Sequence, residues 1–119
     1  MTIQYYERSH INQDCSAVQD KVYSAIVKNF TSSRSGKAIA NQFIITLENG
    51  DTIFQSYKTV IALITKQGDV LLDKDWDYSN TTSRYRNRFL NEITWVTQKK
   101  IDNGTYLLTD LNSDMNKYR

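Results

Sequence analysis

The stretch Gln42-Phe43-Ile44-Ile45-Thr46-Leu47-Glu48-Asn49-Gly50-Asp51-Thr52-Ile53-Phe54-Gln55-Ser56-Tyr57 decides how the rest of the chain must be read. Its two arms are rich in β-branched and aromatic residues, and Asn49-Gly50 between them suits a backbone that doubles back on itself. A hairpin is predicted here. Thr59-Val60-Ile61-Ala62-Leu63-Ile64-Thr65 and Val70-Leu71-Leu72 repeat the arrangement around Lys66-Gln67-Gly68-Asp69. The two pairs predict an antiparallel meander over about 42–72, and so an antiparallel sheet of about four strands.

Toward the N-terminus, Val18, Val22, Ala25, Ile26 and Phe30 fall on one helical stripe. The spacing predicts a helix over about 14–30. Ser16 and Gln19 have capping-box spacing, and Asn12 or Asp14 serves equally as N-cap. Residues 2–6 alternate weakly, as a short edge strand would. The segment Thr31-Ser32-Ser33-Arg34-Ser35-Gly36-Lys37 is small and polar, and reads as a mobile loop. Toward the C-terminus, Asp77, Ser79, Asn80, Thr81 and Thr82 offer acceptors for free backbone donors, which marks a helix start. Tyr85, Phe89, Leu90 and Ile93 form the apolar stripe and Val96 extends it, giving a second helix over about 80–96. Gly104 reads as a C-terminal cap, Tyr106-Leu107-Leu108 as a last short strand, and residues 112–119 as a polar, frayed tail. The expected fold is a single α+β domain spanning 1–119. Its two helices pack on one face of the sheet and leave the other partly solvated.

Composition removes several function classes. Fifteen Lys and Arg against thirteen Asp and Glu leave a net charge of +2, so bulk electrostatics neither requires nor excludes nucleic acid. The single Cys15 allows no internal disulfide, and with only His10 beside it there is no Cys/His cluster for zinc. An intracellular, cytoplasmic protein is expected: no basic leader with an apolar run opens the chain, and no segment approaches the roughly 20 apolar residues of a membrane span. Abundant Tyr, Asn, Lys and Ile with no Pro suggest AT-rich coding.

No catalytic constellation or cofactor motif is legible, and a non-enzymatic protein is expected. Pairing Cys15 with His10 as nucleophile and base is far less common than a buried structural thiol. Ser33-Arg34-Ser35-Gly36-Lys37 falls short of a phosphate-binding loop. Asp73, Asp75, Asp77 and Ser79 imitate the first ligand positions of a calcium loop, but Tyr78 stands where glycine is needed and Arg84 where a bidentate Glu is needed. Capping and surface charge explain those carboxylates better.

The candidate contact residues are Tyr57, Tyr78, Arg84, Arg86 and Arg88. Arg84 and Arg88 sit one helical turn apart, with Arg86 on a neighbouring face and Lys99 and Lys100 further along. They read as a surface for phosphates or an acidic protein, or as a solvated face balanced by Asp73, Asp75 and Asp77. Tyr57, Tyr78 and Trp76 offer rings for stacking, though Trp76 beside a helix start reads first as core. Trp95 is exposed if the helix bends.

Residues from about Phe54 to Asn112 resemble a widespread family of short phage and prophage proteins built around a domain of unknown function, the DUF8033-like group. The matching pieces are Phe54 to Ala62, the Gly68-Asp69-Val70 turn, Trp76 to Thr82 with Arg86, Phe89 and Leu90, and the closing Asn103-Gly104-Thr105-Tyr106 to Leu111. The resemblance implies a mobile-element origin and an α+β fold, and brings no known active site. It implies an accessory protein that binds a host protein, in the way small phage proteins block a CRISPR effector or a restriction nuclease. Near-neutral charge argues against mimicry of DNA. The alternative is a nucleic-acid-binding accessory protein using the basic second helix. Small net charge and the carboxylates crowding the helix start favour the protein partner at this level.

Overall fold

A computed structural model describes residues 25–116. The expected residues 2–6 strand, most of the expected 14–30 helix, and His10 and Cys15 lie outside that range. Six strands form one sheet in sequence order: β1 (Ile26–Thr31), β2 (Ala38–Thr46), β3 (Thr52–Ser56), β4 (Thr59–Ile64), β5 (Val70–Asp73) and β6 (Leu107–Thr109). The first five pair antiparallel, and β6 lies parallel to β5. The sheet is therefore mixed and larger than the four antiparallel strands expected from the hairpin pattern. Three helices lie within the described residues: α1 (Asn80–Leu90), α2 (Thr94–Asp102) and α3 (Leu111–Asn116).

The two predicted turns form by the same chemistry. Gly50 and Gly68 take positive φ of 100° and 97°, a region open to glycine at no steric cost. In the first turn Leu47 N–H donates to Asp51 O; in the second Thr65 N–H donates to Asp69 O. Asp51 also accepts from Lys66 N–H at 2.9 Å, which ties the two turns together. In β4 the register skips Ile61: Phe54 faces Ala62 and Gln55 faces Val60. This bulge turns the consecutive residues Ile61 and Ala62 into one core, where both are fully buried.

The residues Ile26–Thr31, expected to end a helix, are strand β1. A strand alternates its faces, so Phe30 is buried while Lys28, two residues earlier on the same face, overhangs into solvent. That lysine spoils the two-residue period, and the apolar Ile26 and Phe30 left behind imitate a helical step of four.

The expected single helix over 80–96 is two helices. Asn91 adopts φ 58°, ψ 48°, and the N–H groups of Asn91 and Glu92 return to Arg88 O and Asn87 O, closing α1 with a left-handed cap. At its other end the Ser79 hydroxyl accepts from Thr82 N–H at 3.1 Å, the N-cap the hydroxyl-rich start predicted.

One face of the sheet carries Phe30, Phe54, Ile61, Ala62 and Leu72 under Trp76, Tyr85 and Tyr106, with Phe89, Leu90 and Ile101 packed at the margin. Phe30 meets Phe54 edge to face with ring centroids 5.6 Å apart, and Tyr85 at 5.3 Å. The opposite face holds Ile45, Leu47, Ile53, Val60 and Leu111, all buried. It is a second apolar cluster, ringed by the only partly buried Val27, Phe43, Leu63 and Leu71, so this face is partly solvated as expected, and α3 packs on it against β4 and β5. The residues expected as a frayed tail thus begin with a helix. Two side chains hold it: Asp73 accepts from Leu111 N–H at 2.9 Å, and Asn112 bonds both N–H and C=O of Val60, at 2.8 and 2.9 Å.

Candidate functional site

The five residues singled out in the sequence divide sharply. Arg86 is fully buried. Its Nη1 donates to Trp76 O at 2.7 Å and to Asp77 Oδ1 at 3.0 Å; its Nη2 donates to Asn87 Oδ1 and Thr94 Oγ1 at 2.9 and 2.7 Å. The guanidinium lies 4.6 Å from the Trp76 ring, which is itself buried as the sequence suggested. Arg86 therefore locks the loop before α1 to the start of α2 and offers no contact surface. Its place in the candidate set is corrected: Thr82, Tyr85 and Phe89 mark the inward face of α1, and Arg86 lies beside them.

Two of the three carboxylates leading into the helix start are likewise occupied, while Asp75 is exposed. Asp77 accepts from Ser83 Oγ–H at 2.6 Å as well as from Arg86. Burial acts to raise its pKa, but the Ser83 hydroxyl and the Arg86 guanidinium outweigh this and hold the carboxyl below its ordinary value. Asp73 is buried and accepts from Asp75 N–H and Leu111 N–H. Glu92, beyond the α1 cap, accepts from Thr97, Lys100 and Tyr106 at 2.6, 2.9 and 2.8 Å.

Arg84 and Arg88 are exposed, as are Tyr57 and Tyr78, each 54%. Arg88 donates to Thr31 O at 2.9 Å and lies 5.0 Å from the Phe30 ring. That bond carries more than packing. It joins two parts of the chain, residues 26–47 and 78–91, neither of which contains a single Asp or Glu. Together they expose Lys28, Arg34, Lys37, Arg84 and Arg88. Lys37 belongs to the same corner, because its carbonyl accepts from Ser32 N–H at 2.8 Å, next to Thr31.

The corner continues to the tyrosines. β2 runs beyond the end of β3, so residues 38–41 overhang the sheet. Asn41 in this overhang has φ 65°, and its carbonyl accepts from Tyr57 N–H at 2.7 Å. Ser56, beside Tyr57, meets Thr82 of α1 with their hydroxyls 3.2 Å apart. The contacts form a closed circuit: Tyr57, Asn41, the β1–β2 loop, Thr31, Arg88, Arg84, Thr82, Ser56. Sequence reading named Tyr57, Tyr78, Arg84 and Arg88 but missed Lys28, Arg34 and Lys37. The signal was available as the absence of acid from residues 26–47, once that segment was known to lie beside α1.

A polar hollow of about 400 Å³ lies between the β3–β4 turn and α3, lined by Lys58, Lys74, Asp73, Asp75, Asp110 and Asn112 among others. Its groups largely satisfy one another, as in the Lys74–Asp110 pair at 3.6 Å. Among the described residues no group of three His, Cys, Asp or Glu is arranged to hold a metal ion. No helix among them is long and apolar enough to cross a membrane.

Residues 26–105 match the model of a family of unknown function, DUF8033. No curated protein and no solved structure matches the chain.

Proposed function

The chain belongs to the DUF8033 family, and on that premise we propose that it is a non-enzymatic accessory protein of a mobile element that binds nucleic acid through the acid-free basic corner. The observation that carries this reading is the Arg88–Thr31 bond, which joins two segments that expose five cations, while Asp77 and Glu92, the carboxylates flanking residues 78–91, are already paired. Segregated charge of one sign makes a local field that a net charge of +2 conceals. The objection that acids at the helix start would repel phosphates is weakened, because Asp77 is turned to Arg86 and Asp73 to α3, which leaves Asp75 exposed.

The test is binding of labelled oligonucleotides at two salt concentrations. Affinity falls steeply with salt as counterions are released, and Lys37→Glu with Arg84→Glu abolishes it. Salt-insensitive affinity, or none for any nucleic acid, refutes the reading.

A second reading, a protein-binding inhibitor of a host defence nuclease or CRISPR effector, has its own observation. Ile93 and Trp95 at the α1–α2 break are 62% and 64% exposed, and large apolar anchors of that kind carry protein interfaces. Affinity capture from host lysate decides between the two. A defence protein lost with Trp95→Ala supports the inhibitor; nucleic acid lost with Arg84→Glu supports the first reading.

A further inference from the structure

Tyr57 is a bulky aromatic residue in a backbone region that suits glycine or asparagine. It occupies the first position of the two-residue turn joining Ser56 to Thr59, with φ 57°. An L-residue with a large side chain pays roughly 1 kcal/mol or more for that conformation. Burial does not offset this, since the side chain is 54% exposed. Its strained backbone is held instead by neighbours: its N–H donates to Asn41 O at 2.7 Å and its C=O accepts from Gln55 Nε2 at 2.8 Å. The turn therefore presents a ring to solvent from a fixed backbone, at a cost to the fold.

Tyr78 adds a second exposed ring, at the start of α1. It lies one residue before the Ser79 N-cap and is as exposed as Tyr57, and Ser79 bonds the N–H of Thr82, whose hydroxyl meets Ser56 beside Tyr57. Arg84 and Arg88 lead away from the two rings along α1, and Lys37 and Arg34 lead away along the overhanging hairpin. Lys58 follows Tyr57 directly and is exposed. Cations thus flank a pair of exposed rings.

Resting on the nucleic-acid reading above, we propose that the partner is single-stranded, with unpaired bases stacking on Tyr57 and Tyr78 while Arg84, Arg88, Lys37 and Lys58 follow the phosphates. A duplex keeps its bases stacked on one another and would meet only the cations. A single strand offers π-faces as well as charge, and the aromatic platform makes that difference count without requiring any particular sequence. An acidic protein would use the cations but gives no reason to hold a tyrosine in a left-handed turn.

The experiment compares a mixed-sequence 20-nucleotide single strand, as DNA and as RNA, with the duplex of the same sequence, by fluorescence anisotropy on the full chain. Tyr57→Gly is the informative variant because glycine relaxes the φ 57° backbone, so the fold is kept or strengthened while the ring is lost. The expected result is at least about tenfold preference for a single strand. Tyr57→Gly should weaken that binding about fivefold or more, and Tyr57→Phe should leave it near wild type. Arg84→Gln should lower the salt slope by about 0.7, one phosphate contact on a single strand. Equal or tighter duplex binding, or single-strand binding unchanged in Tyr57→Gly, overturns the single-strand inference and leaves the basic-corner reading standing. Absence of binding to every nucleic acid overturns both.

Discussion

Arg86 and Arg88 stand two residues apart on one helix and share neither environment nor task. Arg86 is buried with both terminal nitrogens bonded, against Trp76, Asp77, Asn87 and Thr94. Arg88 lies across the Phe30 ring with its charge near water. A helix turns about 100° per residue, so positions two apart lie on nearly opposite sides, and positions four apart nearly coincide. Arg84 and Arg88 outward therefore require Arg86 inward. A run of arginines is not a charged surface until the helical period has sorted it.

The comparison breaks most visibly at Arg86. Arg86→Met keeps the apolar stem but leaves Trp76 O without the Arg86 donor and the Thr94 and Asn87 oxygens with only the bonds they make to each other. A loss of about 3 kcal/mol is expected by denaturant unfolding, discounted from a fully buried pair because the Asp77 side chain is 44% exposed and can be rehydrated. A loss below about 1 kcal/mol would mean that the junction between α1 and α2 is held by packing alone.

A smaller effect comes from the Glu92 cluster, the other place where this helical layer is tied by charge. Burial acts to raise the Glu92 carboxyl, but bonds from Thr97, Lys100 and Tyr106 hold it below its ordinary value of 4.5. A depressed native value means that the contribution to stability is complete above the ordinary value and is lost as pH falls through the native one. Glu92→Gln should therefore be less stable than wild type at about pH 7, and the difference should narrow once the pH is taken below the ordinary value of 4.5. Urea midpoints at the two pH values read this directly; a gap that persists in acid would assign the loss to shape rather than charge.

The least effect on stability belongs to the outward arginine. Arg84→Glu should shift unfolding by no more than about 0.5 kcal/mol, the usual range for an exposed position away from special contacts. A large destabilisation would show that the basic corner is a structural feature, and would sharpen the contrast with Arg86 by removing it.

Legibility in the sequence followed the range of the interactions. The β2–β3 and β4–β5 turns were readable because Asn49-Gly50 and Gly68 fix the backbone locally. The α1 start was readable because Ser79 caps within three residues. β6 appeared as Tyr106-Leu107-Leu108, but its parallel pairing did not, since nothing local specifies a partner strand. β1 was misread because Lys28 occupies the face that Phe30 buries. The end of α1 carried a signal, Asn91 as a left-handed cap, that the apolar Ile93 and Val96 beyond it concealed. α3 carried one local signal, the Asp110 carboxylate that accepts from Ser113 N–H at 2.8 Å as an N-cap, but its docking on the sheet carried none: Asp73 and Asn112 hold it there through bonds spanning 38 and 52 residues. At the candidate site the arginines of α1 were legible singly, whereas their meeting with the β1–β2 loop depends on a bond across 57 residues.

The Asn112 side chain that stands in for a strand beside Val60 sets an order on the birth of the molecule. As the chain is synthesised, β1 to β5 can pair in turn, each with the strand just made, because short turns join them. Val60 N–H and the Asp73 carboxylate still lack the partners that residues 111 and 112 bring. A nascent chain halted before residue 107 holds a nearly complete sheet with buried polar groups unmet on β4 and β5, and with the outer edge of β5 bare. The side chains that close these bonds thus arrive after the strands they serve, and α3 latches a sheet that is already paired.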